Sequence, residues 1–278
     1  MLEVVIASIG YAGGVIADKI VLSKYRIPVM RFTPLLFIWL CLITAIFLPY
    51  FGKVDWSLVI KWQAVLLFLA MILVASVWNI FYYKGIQKED LHEFELIMLL
   101  SPLVTILLAE LFLPSERSLS VFIVAIIASG ALLATRFRHH HIKISKIAWQ
   151  TLLAMVLMSF ESILIMKLLA YFSPVALYFV RTFIIASIFL IIYRPKLLAF
   201  SKEAFALTII SAIFGVVQMV LKFYGFTNLG VVETTMILIL GPFLVYFFSS
   251  YYFGEKVFKR DIAAAMVVVG CILYVTFK

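Results

Sequence analysis

A chain of 278 residues that is 65% hydrophobic and only 13% charged, with a mean hydropathy of +1.16, carries too little polar surface to fold as a water-soluble domain. Its net charge of +9 is spread over basic residues in short gaps between apolar runs, where they meet lipid headgroups, so nucleic-acid binding is excluded as a function class. Cys41 and Cys271 each lie inside an apolar run, give no disulfide framework and read as small core residues.

In chain order the apolar runs fall at residues 2–22, 32–51, 62–83, 91–113, 119–136, 147–171, 174–193, 203–224, 231–253 and 261–277. Continuous apolar runs near the ~20 residues that span a bilayer satisfy their backbone in lipid only as helices. The expectation is an all-α integral membrane protein with ten transmembrane helices. The first run lacks the basic start and small-residue cleavage site of a signal peptide and is read as retained. Its Gly10 and Gly14 form a GxxxG strip, which either packs against another backbone or leaves room for a bound molecule beside Tyr11. Between the fifth and sixth runs lies Arg136–Lys146, RFRHHHIKISK. Three adjacent histidines without a carboxylate or cysteine set make a poor metal site, so the segment reads as a headgroup-facing linker, with no metal or cofactor implied. The expected division is a first five-helix repeat at 1–138, the basic linker at 139–146 and a second five-helix repeat at 147–278.

That division rests on internal repetition. At one constant offset Gly85 falls on Gly225, Glu93 on Glu233, Pro102 on Pro242 and Gly130 on Gly270. With five spans per half, the second copy enters the bilayer from the opposite side, so the repeat is inverted. This is the common plan of secondary transporters, whose site lies near the midplane on helices interrupted by Gly or Pro. Here those are the fourth and ninth spans, with the third and eighth leading into them.

The five-plus-five plan, the glycine turn and deep proline of spans four and nine, and the pairs Glu116-Arg117 and Glu255-Lys256 that follow them resemble the EamA-type drug/metabolite transporters. Lys19 and Lys167, each followed by a proline (Pro28, Pro174), fit the same pattern, and Arg181 is similar to an arginine in the second helix of a half. The first half departs from it, with Leu35 at the matching place. The resemblance implies transport of a small metabolite by alternating access.

Ionisable and polar residues inside the runs are the site candidates, because such groups in hydrocarbon need a partner or a wet cavity. Glu161, mid-way along the sixth span, either binds a cation or carries a coupling proton, or else pairs with Lys167, Lys222 or Arg181 to hold helices together. Glu93 reads as a helix cap; Glu233 is either a cap or a cavity-facing group. Glu95 is expected to face the membrane interface. Trp78 and Tyr82, four apart on one helix face, sit with Asn79 at the offset of Gln218, Lys222 and Met219. Trp78 and Tyr82 suit an ammonium group, while Gln218, Lys222 and Arg181 suit a carboxylate; the alternative for the aromatics is an interfacial belt. The substrate-binding set is therefore Tyr11, Trp78, Asn79, Tyr82, Glu161, Arg181, Gln218, Lys222 and Glu233.

These residues point to a secondary active transporter of a small amine-bearing or zwitterionic metabolite such as an amino acid or choline-like molecule. Protons are the candidate coupling ion. The alternative is a non-transporting membrane subunit that presents a lipid-linked substrate. With no nucleophile–base pair or phosphate loop, an enzyme is disfavoured. The expected partners are a small-molecule substrate and the bilayer, the expected location is the plasma membrane as a multi-pass protein, and the expected assembly is a monomer or weak dimer. Basic residues concentrate in the gaps after odd-numbered spans, which the positive-inside rule places in the cytoplasm, with both termini outside.

Overall fold

The computed structural model describes residues 1–55, 59, 61–89, 91–116, 119–134, 146–195, 200–253, 263, 266–267, 270–271 and 274. The helices are α1 (Leu2–Lys19, continued by a π-helical turn Ile20–Lys24), α2 (Val29–Phe51), α3 (Trp62–Lys88), α4 (Leu91–Met98), α5 (Ser101–Phe112), α6 (Leu119–Ala134), α7 (Lys146–Leu168), α8 (Pro174–Tyr193), α9 (Lys202–Leu238) and α10 (Leu240–Phe253). Among the described residues six helical stretches are long and apolar enough to cross a membrane, and Ser101–Phe112 and Phe122–Ala131 are shorter apolar helices. Their outer surfaces expose large apolar side chains such as Leu42, Ile46, Leu73, Phe183 and Ile191, which suits hydrocarbon rather than water. This is a multi-pass, all-helical membrane protein.

The expected list of ten separate spans needs revision. The fourth run is not one helix but two, α4 and α5, and the eighth and ninth runs form one helical stretch interrupted at Gly230, whose φ of 83° no helix contains. The tenth run and the linker 139–145 fall outside the described residues, apart from scattered positions in the former.

Both mid-membrane breaks have one cause. Proline lacks an N–H and its ring clashes with the carbonyl four residues earlier. Four residues before Pro102 is Met98, the last residue of α4, and four before Pro242 is Leu238, the last of α9. The repeated prolines thus break corresponding spans at corresponding places. The repeated glycines also share one task. A Cβ on Gly85 would lie 2.5 Å from Thr151 Oγ1 and 3.0 Å from Phe94; one on Gly225 would lie 2.7 Å from Val4 and 2.8 Å from Thr234. In each half the glycine lets one span press against the first span of the other half and against its own successor.

Contacts between the halves follow the same exchange. The first span, α1, packs on α9 and α10 of the second half, while α7, the first span of that half, packs on α3 and on α4–α5; α2 packs on α8, its own counterpart. Such pairing is what a two-fold axis relating the halves produces. On α1 the GxxxG strip is a packing surface at Gly10, where a Cβ would lie 3.0 Å from Phe214 O and 3.1 Å from Gln218 N.

At the face carrying Met1, hydrogen bonds tie the halves together. Ser173 accepts from Lys53 N and donates to Phe51 O, each at 2.9 Å, Asn228 donates to Glu3, and Val54 bridges to Phe172. Glu116, from the short turn Pro114–Glu116, reaches across to accept the N–H of Val232 at 2.9 Å and lies against Gly230. At the opposite face, near Lys24, hydrogen bonds among the described loop residues run within one half: Gln87 donates to Leu22 and Ile27, Lys19 to Ile86 and Glu89, and in the second half Ser201 accepts from Ala204 N.

Candidate functional site

The pseudo-two-fold packing leaves a central cavity of about 130 Å3, roughly ten times what one water needs. The two proline breaks open onto it through Met98, Ser101 and Pro102 from one half and Leu238 and Pro242 from the other. Backbone freed at such breaks is tolerated only beside a cavity or a polar partner, and Ser159 of the other half donates to Ser101 O, next to the first break, at 3.2 Å.

Tyr11, Trp78, Asn79, Tyr82, Glu161, Arg181, Gln218 and Lys222 all line this cavity. Glu233 does not: the turn that follows Gly230 leaves its side chain exposed, on the far side of its helix from the buried Thr234 and Thr235. The side chain of Glu93 lies outside the described residues. Trp78 and Tyr82 are 7% exposed and stand inside the bundle, not in an interfacial belt. Their rings form an edge-to-face chain with Tyr83 and Phe94, centroids 5.1–5.6 Å apart.

Glu161 is already bound. Arg181 donates to it from Nε at 2.6 Å and from an Nη at 3.2 Å, and Trp78 Nε1 donates at 2.7 Å. Both charges are almost wholly buried. Of the two roles open to Glu161 in the sequence, the geometry is that of the ion pair. Arg181 is occupied by the same pair. Lys222 is different: among the described residues its ammonium donates to the hydroxyl of Ser162 at 3.2 Å and lies 5.3 Å over the ring of Phe226, with no carboxylate in bonding range. Asn79 spends its amide N–H on Ala75 O in its own helix, while the amide of Gln218 has no protein hydrogen bond among the described residues.

Two further buried acids emerge outside the expected set, one on the cavity wall and one behind it. Glu95 is 1% exposed, contrary to the expected interfacial position, because the short α4 turns it inward to accept from Tyr11 Oη, 3.2 Å from each oxygen. Asp18 is 5% exposed, lines the cavity and accepts from Ser211 of the other half. Its signal was present: Tyr11, Gly14 and Asp18 recur at helical spacing on one face of the first span. Adjacent Lys19 made the pair look like a span end.

A sequence profile matches both halves of this arrangement, over residues 1–137 and 145–277: that of the EamA-like transporter family. The chain belongs to the EamA-like transporter family. It is therefore a membrane transporter of the drug/metabolite type and not an enzyme. The fold has solved counterparts. One, titled only as the crystal structure of a protein, is 15% identical to this EamA-like transporter, with a TM-score of 0.69 over 98% of this chain and 96% of that one; at that identity it shows the fold alone. No curated protein sequence matches the chain.

Proposed function

We propose that this EamA-like protein moves a small zwitterionic, amine-bearing metabolite by alternating access, binding it in the central cavity. The observation that carries the reading is the state of Lys222, a cation on the cavity wall that among the described residues has a hydroxyl and an aromatic ring for partners but no carboxylate in bonding range. A carboxylate beside Lys222 and Gln218 supplies the missing charge. Trp78, Tyr82 and Tyr178 offer ring surfaces for the ammonium end. Arg181 and Glu161 neutralise each other and hold Trp78 in place, so they shape the wall. The hydrogen bonds between halves at the Met1 face support a conformation closed on that side, and the broken spans supply hinges. The protein acts as a multi-pass component of the plasma membrane and as a monomer or weak dimer.

Thermal-shift measurements on the purified protein test the recognition. Individual amino acids are compared with their methyl esters, which keep the ammonium, and their N-acetyl forms, which keep the carboxylate. A zwitterion that stabilises the protein while both derivatives do not, with the effect lost in Lys222→Met, is the expected result. Equal stabilisation by ester and zwitterion removes carboxylate recognition, and stabilisation by lipid-linked molecules alone favours the subunit alternative.

A further inference from the structure

Of the charged side chains lining the cavity, Glu161 and Arg181 satisfy one another and Lys222 has its place in substrate binding; Asp18 is left. Its carboxylate sits on a membrane-spanning helix, 5% exposed, and its hydrogen-bonding partner among the described residues is the Ser211 hydroxyl. Among the described residues no cation pairs with it. Lys19, the next residue, is turned away to the carbonyls of Ile86 at 2.8 Å and Glu89 at 2.5 Å. Lys222 lies eleven residues beyond Ser211 on α9, about 16 Å along the helix axis. The titratable groups that face Asp18 are tyrosines: Tyr82 and Tyr83 from α3 and Tyr11 from its own helix, the last committed to Glu95 of α4.

Such a carboxylate calls for a positive charge, which the described residues do not provide. Two further observations indicate what that charge does. Asp18 lies two residues before the π-helical turn Ile20–Lys24, a wide turn of the kind that gathers at functional sites. Its bond to Ser211 also joins α1 to α9, which pack on each other across the boundary between the halves.

We propose that Asp18, paired with Ser211, is the site where this protein takes up and releases its coupling proton, apart from the substrate's own charges. The coupling role rests on the transporter reading above. As a carboxylate, Asp18 accepts from the Ser211 hydroxyl; with a proton from one side of the membrane it becomes a neutral acid that can donate to the same oxygen. Release of that proton to water on the other side restores the carboxylate. Each change re-forms a hydrogen bond between halves, so the proton is sensed where the halves must slide.

Infrared difference spectroscopy of the reconstituted full chain across a pH step, in H2O and D2O, reads the protonation directly and requires no substrate. The expected result is a titrating carboxylic-acid C=O band that is absent in Asp18→Asn, shifted in frequency in Ser211→Ala and retained in Glu161→Gln. A wild-type protein without such a band, or a band unchanged in both Asp18→Asn and Ser211→Ala, overturns the proposal. Should Asp18→Asn not fold, the Ser211→Ala shift still decides. The expected band without zwitterion binding in the thermal-shift series would sink the substrate reading and leave the proton site standing. Zwitterion binding without the band would do the reverse.

Discussion

Replacing Glu161 with Gln removes one half of a buried pair. Arg181, 2% exposed, would keep its charge but lose the carboxylate that accepts two of its hydrogen bonds, and Trp78 Nε1 would face a neutral amide. Breaking a buried ion pair from one side costs about 3–5 kcal/mol, because the surviving charge stays desolvated, whereas replacing both partners with apolar groups of similar volume is often close to neutral. The single variant should therefore lose several kcal/mol of stability, and Glu161→Met combined with Arg181→Met should recover most of it. Thermal unfolding in detergent, run on the wild type, Glu161→Met, Arg181→Met and the double variant, gives the coupling energy from the cycle, with Glu161→Gln measured alongside. Additive losses, or a Glu161→Gln protein as stable as wild type, would refute the pairing and return Glu161 to the free, proton-exchanging role that its mid-span position suggests.

Gly10→Ala places a methyl group against the backbone of α9 and should cost about 1–3 kcal/mol by overpacking, read by the same unfolding assay; a neutral result would mean that the two helices are further apart. Gly230→Ala meets both a φ of 83° and the Glu116 carboxylate, so a loss of about 1–3 kcal/mol is expected, with protease sensitivity rising at the Met1 face. Glu116 itself has its acidity weakened chiefly by burial, against the Val232 and Val231 N–H groups that favour the carboxylate. Its proton affinity is thus higher when the contact is closed, so closure should tighten as pH falls towards the ordinary glutamate range and level off below it. Cysteine pairs across the Met1 face should report this by crosslinking rate, and Glu116→Gln should flatten the response. For orientation, with Cys41 and Cys271 removed, a cysteine replacing His140 should be shielded from an impermeant reagent in intact cells while one replacing Lys278 reacts; the opposite pattern would place both termini inside.

Much of the architecture could be read from the chain because membrane solvation leaves few choices. Composition forces helices, and the shared offset of Gly85/Gly225 and Pro102/Pro242 marks the repeat; the structure adds that the glycines are contact points and the prolines true breaks. Most of the cavity wall was also legible, since Trp78, Tyr82, Gln218 and Lys222 are conspicuous in apolar surroundings. What could not be read was the partnering. Glu161 had three cations to choose from; the packing of α7 on α3 brings Trp78 to it, and the long side chain of Arg181 reaches it from α8. The inward turn of Glu95 depends on α4 being a separate short helix, and nearly uniform apolar spans carry too little periodicity to say which face is inward. Glu116 holding the start of a span in the other half joins residues more than a hundred positions apart, with nothing in the sequence to link them.

Flux in proteoliposomes tests the central claim most directly. Loaded with the zwitterion that gives the largest thermal shift, vesicles carrying the wild-type protein should take up labelled substrate by counterflow, saturably, and Lys222→Met and Trp78→Ala should each raise the half-saturating concentration. Counterflow no faster than in protein-free vesicles would contradict transport of that substrate through the cavity, and wild-type kinetics in both variants would place its path elsewhere.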